Sequence, residues 1–323
     1  MPVLTHISAK LFQTLGTFAL VVLGAFVMLR LAPGDPALAQ AGVAATPEQI
    51  ELIREQLGLN RPFLVQLWEW FRGAFTGDFG VSYNDHAPVT KIVTDHIFPT
   101  LQLVALTTVL TIVLCIPLGI WTAVGHSRLS RWVGNTITVL GPAIPNFVVG
   151  ILFVLIFGWA ITGVLPHYGY VPFSQDPVKA FLHTILPALA LMTSGVAIIS
   201  RVLRASIIET LNDDFVFVGT ALGVPRKRLV WTDVLRNSLV AATTVFGLFL
   251  GVALSGSVVL ENAFGIPGLG NLLVSSFDAR DYPVTIGTTL VIVAAVLLVN
   301  LVVDVLYLFL APRVRFDLGV STR

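Results

Sequence analysis

The chain has 323 residues, 55% of them hydrophobic and only 11% charged, with a mean hydropathy of +0.87 and a net charge of +1. This excludes a soluble globular domain and fits an all-α polytopic membrane protein. One cysteine, Cys115, excludes an intrachain disulfide, and six histidines scattered at 6, 86, 96, 126, 167 and 183 show no metal-ligand spacing, so no metal site is expected.

Residues 11–29 are apolar enough to span a membrane, and Arg30, Pro33, Gly34, Asp35 and Pro36 end the run. Ala37-Leu38-Ala39 beyond it resembles a cleavage site. The run is nevertheless longer than a signal-peptide core and several more follow, so it reads as a retained first transmembrane helix. Residues 33–98 form a non-membrane insert. Thr46-Pro47-Glu48-Gln49 supplies a capping threonine, a proline at the first helical position and a glutamine three after the cap. Ile50, Ile53 and Leu57 continue the apolar face to a stop at Gly58. A second short helix follows Pro62, carrying Phe63, Leu64, Leu67, Trp68 and Phe71, and Gly77-Asp78-Phe79-Gly80 makes a turn. Two such helices are too few for an independent enzyme and are expected to pack on the membrane domain.

Five further apolar runs follow, at 100–124, 132–164, 184–203, 239–260 and 283–310, for six transmembrane helices in all. The run at 132–164 is too long for one straight crossing and contains Gly141-Pro142-Ala143-Ile144-Pro145-Asn146. It must kink there or lie partly at the interface. The expected organisation is therefore an N-terminus and first helix at 1–32, an insert at 33–98, a five-helix core at 99–311 and a tail at 312–323. With the N-terminus inside, twelve of the nineteen cations fall on cytoplasmic segments and twelve of the eighteen acids on external ones. Both termini are thus expected in the cytoplasm and the insert outside.

One polar stretch interrupts the apolar runs, at residues 206–237, and it must face water. Ile208, Leu211, Phe215, Val218 and Leu222 recur at the spacing of one helix face. Gly223 can end that helix, Val224 is biased out of helix by the following proline, and Pro225 can open a second helix bearing Leu229, Val230, Val234 and Leu235. The result is a helix, a sharp turn and a helix, with an apolar stripe and no core of its own. Its residues allow two partners: the bilayer surface, with Arg226, Lys227 and Arg228 at the head groups, or a soluble protein.

No catalytic motif is present. Gly265-Ile266-Pro267-Gly268-Leu269-Gly270 is glycine-rich but reads as an external turn, because no strand precedes it and no helix is expected after it. Gly247, Gly251 and Ser255 fall at four-residue intervals and mark a helix-packing seam, within the subunit or against a second one. Asp304, one turn after Asn300, stands as the one acid inside an apolar run, and either lines a polar pathway or pairs at an interface.

Asp214-Phe215-Val216, Gly219, Ala221, Gly223 and the closing Leu235-Arg236-Asn237 resemble the cytoplasmic "EAA" loop of ABC-importer permeases, in the dipeptide and oligopeptide branch. The chain departs from that pattern at Phe217, Thr220 and Leu222, where the family carries basic residues, and at Gly219, where it carries alanine. Arg30-Leu31 with Pro33-Gly34-Asp35-Pro36, Leu57-Gly58-Leu59-Asn60-Arg61-Pro62, Pro145-Asn146-Phe147, Glu261 with Phe264, Ile266-Pro267-Gly268-Leu269-Gly270 and Arg280-Asp281-Tyr282-Pro283 extend the resemblance over almost the whole chain. The resemblance implies a type I importer permease fold in a bacterial inner membrane. It implies a second homologous permease, two ATPase subunits holding ATP and Mg, an external solute-binding protein, a peptide substrate and no cofactor bound by this chain. It also implies ATPase coupling through Asp214, Gly219, Ala221, Gly223, Val224, Pro225, Arg226, Leu229, Arg236 and Asn237. Asn146, Asn300 and Asp304 then become candidates for the pathway or the subunit interface. Nickel and glutathione permeases share the signature. An ion-gradient transporter would want buried ionisable groups in several spans, and an intramembrane enzyme a nucleophile or metal cluster, neither of which the sequence offers. No nucleic-acid partner is expected.

Overall fold

A computed structural model describes the backbone of residues 2–31, 35–42 and 45–310, and their side chains except those of 2–12, 29–31, 74–75, 138–140, 142 and 304–310. In chain order its helices are α1 (Pro2–Leu31), α2 (Pro36–Ala41), α3 (Pro47–Gln56), α4 (Phe63–Thr76), α5 (Val89–Val124), α6 (Arg128–Ala143), α7 (Asn146–Leu155), α8 (Pro177–Thr210), α9 (Asp214–Ala221), α10 (Arg226–Arg228), α11 (Leu235–Phe264), α12 (Leu269–Asp278) and α13 (Tyr282–Leu310). A π-helical turn, Ile156–Ala160, extends α7, and another, Leu229–Val234, fuses α10 to α11. Among the described residues the one strand-like pairing is a single antiparallel bridge between Val81 and Pro88.

Among the described residues, four helical stretches are long and apolar enough to cross a membrane: Val89–Val124, Pro177–Thr210, Arg226–Phe264 and Tyr282–Val303. At about 1.5 Å per residue, the 36 residues of α5 extend roughly 54 Å, well beyond a hydrocarbon core of about 30 Å. The ends of α5 therefore project into water. The first and third apolar runs carry shorter apolar helices, Gln13–Met28 and Asn146–Ala160. The expected run at 132–164 is broken, because Ile144 and Pro145 both adopt extended backbone and Pro145 becomes the N-cap of α7. Two elements escaped the sequence reading, α2 and α12, and α5 and α8 begin earlier than their apolar runs did. Pro36 and Pro177 open α2 and α8 behind capping aspartates, Asp35 and Asp176, so local chemistry started these helices before the hydrophobic pattern did.

The core lies where α5, α8 and α11 meet, around Leu103, Leu186, Leu191, Leu203, Leu260 and Phe264. In a bundle with apolar surroundings, each hydroxyl in it must find an internal acceptor. The threonines do so by turning back along their own helices: Thr107 donates to Leu103 O, Thr111 to Thr107 O, Thr122 to Leu118 O and Thr184 to Ala180 O, at 2.7 to 2.8 Å. Gly195 lets α11 close on α8, since a Cβ there would stand 2.4 Å from the Phe249 ring.

The insert packs as its composition demands. The capping box of α3 is complete, with Gln49 N–H donating to Thr46 Oγ1 and Thr46 N–H to Gln49 Oε1, and Gly58 at φ +65° follows its end. Arg54 of α3 pairs with Asp35, tying α3 to α2. Helix α4 lays Leu67 and Trp70 against Phe26 of α1 and Tyr282 and Ile286 of α13. A buried carboxylate fixes the return of the chain: Asp281 accepts the Ser82 hydroxyl, the backbone N–H groups of Tyr83 and Asn84 at 3.2 and 3.3 Å, and that of Val284 at 3.4 Å. One side chain thereby joins the loop before α5 to the start of α13.

Asp281→Ala leaves those donors without an acceptor. Its cost is expected at about 3 kcal/mol, from hydrogen bonds to a charged group. The test is a lower Tm in mild detergent together with faster proteolysis within residues 81–88; an unchanged Tm would deny the carboxylate this role.

Candidate functional site

The polar elbow joins α8 to α11, the two helices that contribute most of the core. Helix α8 ends at Thr210, and the chain turns through Leu211, Asn212 and Asp213 before α9 begins. The single helix expected over residues 206–222 is therefore two. Asn212 sends its amide back to Ile208 O, and Asp213 takes the extended conformation of an N-cap, so short polar side chains stop a helix that the apolar spacing alone would have continued.

Helix α9 then ends in a Schellman motif. Gly223 N–H donates to Thr220 O and Val224 N–H to Gly219 O, both at 3.0 Å, and Gly223 sits at φ +79°. Glycine is required there by conformation rather than by space, because nothing lies within 4 Å of a Cβ built on it. Pro225 follows as the N-cap of α10, one position earlier than the first-turn place expected for it. The π-helical turn that comes next buries Leu229, Val230 and Val234 together. Gly219 faces Leu229 so closely that a Cβ would come within 2.8 Å of Leu229 Cδ2. The alanine expected at this position is thus replaced where a leucine fills its room.

The outer surface of the elbow is apolar. Phe217 and Leu222 are 78% and 77% exposed, Val218 and Trp231 about half, and Phe215 remains open as well, while Val216 is buried inward. Asp214, Arg226, Lys227, Arg228 and Arg236 are exposed, and these cations form no ion pair among the described residues. Ala221 and Asn237 are exposed, and Asn237 donates to Asp233 O at 3.0 Å. A ridge of exposed aromatic and aliphatic groups rimmed by free cations has the composition of a docking surface.

Both parts of the chain match sequence families. The family described as "Binding-protein-dependent transport system inner membrane component" matches residues 115–316, and the corresponding N-terminal family matches residues 4–105. The chain belongs to this family of ABC-importer permeases. A probable peptide ABC transporter permease protein of Sinorhizobium fredii is 35% identical over 96% of this chain and 99% of its own length. The glutathione transport system permease protein of Salmonella choleraesuis is 35% identical over 97% and 99%. A putative peptide transport system permease protein of Brucella abortus is 34% identical over 95% and 98%. The permease is a multi-pass inner-membrane transport subunit.

The remaining candidates separate. Gly247 meets α13 of its own chain, where a Cβ would stand 2.3 Å from Val303 Cγ1, and Gly251 faces Val296 and Asn300 of the same helix. Ser255 donates to Gly251 O at 3.2 Å and is exposed. Asn146 is occupied within the permease: it donates to Leu191 O and Ser194 Oγ and accepts from Thr193, clasping α7 to α8. Asn300 is exposed. The side chain of Asp304 and the segment 312–323 lie outside the described residues.

Asp304 is also not alone as an acid in an apolar helix. Helix α11 runs on to Phe264, past the expected end at 260, and buries Glu261 completely. Glu261 Oε1 accepts the Thr100 hydroxyl at 2.8 Å, and Oε2 accepts Gly270 and Asn271 N–H at 2.7 and 3.1 Å; Thr100 Oγ1 in turn accepts Leu269 N–H. The glycine-rich turn thus does lead into a helix, α12, whose first free amides are filled by Glu261 and Thr100. No phosphate site remains there. The signal for Glu261 in the sequence was its place one residue beyond an apolar run; its partner Thr100 is 161 residues away and gave no local sign.

Glu261→Gln turns an acceptor of backbone N–H groups partly into a donor. A loss of about 2 kcal/mol is expected, visible as a lower Tm in detergent. Glu261→Gln melting like wild type would show that α12 does not depend on the charge.

Proposed function

We propose that this permease is one membrane half of an ATP-driven importer whose residue 210–238 elbow docks on an ABC ATPase and passes its movement to the spans. The observation that carries the reading is the exposed ridge of Phe217, Val218, Leu222 and Trp231: the first three lie on α9 and its cap, closed by the Schellman turn at Gly223, and Trp231 lies in the π-helical turn that runs without a break into α11. A bare stripe on a mobile loop would not transmit force; a capped helix packed through Gly219 on Leu229 of a 39-residue helical stretch can. Six crossings are the reading that places α1, α5, α7 with its π turn, α8, α11 and α13 in the bilayer and lays α6, with Arg128 and Arg131, at its cytoplasmic face. The cation asymmetry supports both termini in the cytoplasm.

Membership of the family supports the partners in this reading: a second homologous permease that completes the pathway, two ATPases that hold ATP and Mg at the elbows, and a solute-binding protein received outside near the insert. Asp214, Gly219, Ala221, Gly223, Val224, Pro225, Arg226, Leu229, Arg236 and Asn237 build the coupling surface in this reading, with Gly219 and Leu229 setting its internal packing. Gly247 and Gly251 serve as a seam within the subunit, and Asn300 with Asp304 is left for the pathway or the partner. Di- or oligopeptides are the proposed cargo. The names of the Sinorhizobium and Brucella relatives support it, and glutathione, named for the Salmonella relative, is itself a tripeptide.

Leu222→Asp places a charge in the middle of the ridge. The variant is expected to remain in the membrane while co-purification of the ATPases falls at least tenfold, since burying an unpaired carboxylate costs several kcal/mol. Gly223→Val tests rigidity separately: it should keep the subunit in the membrane yet abolish uptake, because a β-branched residue at φ +79° forces the turn open. Normal uptake by both variants would overturn the coupling assignment.

A further inference from the structure

Helix α4 (Phe63–Thr76) is apolar over more of its girth than its neighbours cover. At about 100° per residue its side chains fall on three flanks. Phe63, Leu67 and Trp70 share the first, which packs on the spans. Leu67 and Trp70 lie against Phe26 of α1 and Tyr282 and Ile286 of α13, and the Phe63 ring meets that of Phe26 edge-on at 5.4 Å. Leu64 and Trp68, one turn apart, stand on the second flank, and they are 74% and 67% exposed. Gln66 and Glu69 stand on the third, where Gln66 donates to Leu59 O at 3.2 Å and to Arg61 O at 2.7 Å, and Arg61 pairs with Glu69. The polar flank is thus engaged by the insert's own α3–α4 connection, and the bare flank is apolar.

The depth of the helix decides what lies against that bare flank. Trp70 and Phe71 help to wall a cavity of about 120 Å³ whose other walls include Phe18 and Val22 of α1 and Leu290 and Ala294 of α13. Phe18 and Val22 stand near the middle of the apolar stretch Gln13–Met28. Leu290 stands about 12 Å along the crossing that begins at Tyr282, at about 1.5 Å per residue. Half of a hydrocarbon core is about 15 Å. The second half of α4 therefore runs beside the spans at the level of the acyl chains, not above the head groups, and Trp68 leads directly into that half. A short helix at this level, with polar groups on one flank and Leu64 and Trp68 on another, has the build of an interfacial helix with tryptophan at the boundary.

We propose that α4 is a membrane-surface helix, with the flank of Leu64 and Trp68 set into the lipid of the leaflet on the insert's side and the flank of Gln66 and Glu69 turned to water. The partner is the lipid surface itself, met through apolar depth and without choice of head group. A soluble protein would need the bare flank to point away from the bilayer, whereas this flank adjoins the one seated on α1 and α13 at acyl-chain level. Docked in this way, α4 holds the insert at a fixed height. Helix α3, joined to α4 by a few residues, and the loop that Asp281 ties to the start of α13 then ride at the membrane surface. Residues 33–98 are on this reading not wholly a non-membrane segment.

The full-length permease, with the subunits that co-purify with it, is reconstituted in lipid nanodiscs after Cys115→Ala removes its one cysteine. A nitroxide is attached in turn through Leu64→Cys, Trp68→Cys and Glu69→Cys, in variants that retain uptake. Collisions of the nitroxide with oxygen, which concentrates in lipid, are compared with those of a water-soluble nickel chelate. Oxygen is expected to dominate at 64 and 68 and the chelate at 69, a reversal within one turn that a misfolded insert would not give. Dominance of the chelate at 64 and 68 would overturn the proposal by placing the flank in water. So would few collisions with either reagent at 64 and 68, the mark of a flank covered by protein. Labels at 64 and 68 that lose their oxygen contact when the purified solute-binding protein is added would overturn it as well, since the flank would then serve that protein.

Discussion

A polar atom buried in this bundle has no water to turn to, and the arrangement of the helices follows from how that demand is met. Thr107, Thr111 and Thr122 of α5 are satisfied locally, by their own preceding turns, and tie nothing together. Two buried carboxylates among the described residues work differently, because each fills the first amides of a helix and also holds a distant part of the chain. Glu261 fills the first amides of α12 and holds Thr100 of α5; Asp281 fills the start of α13 and holds the loop before α5. Hydrogen bonds to a charged group are worth roughly 1.5–3 kcal/mol each, so the end of the bundle that carries the insert is pinned by directional contacts that tolerate little displacement.

The opposite end is built on another principle. The elbow is held by the Schellman turn and by apolar burial: Val216, Val230 and Val234 join the main core and Leu211 packs on its edge, while the polar tie to the bundle is the Ser238 hydroxyl, which reaches Thr210 at 3.4 Å. From Arg226 to Phe264 the chain is one helical stretch, about 58 Å long at 1.5 Å per residue. In the proposed coupling, displacement applied at the elbow would reach the Glu261 hub along this stretch. A helix ending in a pinned joint suits a two-state transporter, and on that proposal α12 and α5 would be the first parts to respond.

What the sequence made legible were features with local causes. Thr46 and Gln49 announce a helix start within four residues, Gly223 before Val224-Pro225 announces a turn, and Pro145 breaks an apolar run that was too long for one helix. The break at Leu211 to Asp213 was hidden, although Asn212 and Asp213 favour it, because the apolar residues on either side keep helical spacing across it by coincidence. Glu261 was hidden for a different reason. Its burial is set by Thr100, Gly270 and Asn271 acting together, and only the fold brings Thr100 to it. The π-helical turn at Leu229 was equally invisible, since one added residue in a turn changes no composition and only shifts which side chains point inward.

Within the elbow, Gly219 and Leu229 show how a departure from the family pattern is absorbed. Removing a methyl group from α9 and filling its place from the π-helical turn keeps the packed volume while leaving the outer surface untouched. That surface is where the chain departs further, with Phe217, Thr220 and Leu222 at positions the resemblance associates with cations. Exposing Phe217 and Leu222 forgoes about 1.5–3 kcal/mol of burial for each side chain, which the proposed docking would recover. The departure therefore shifts the expected contact from charge pairing toward apolar insertion, with Arg226, Lys227 and Arg228 left at the rim, where charges steer approach more than they hold. A partner matched to this elbow should present a correspondingly apolar cleft with acids at its margin, and an ATPase cleft suited to a basic ridge would fit it poorly.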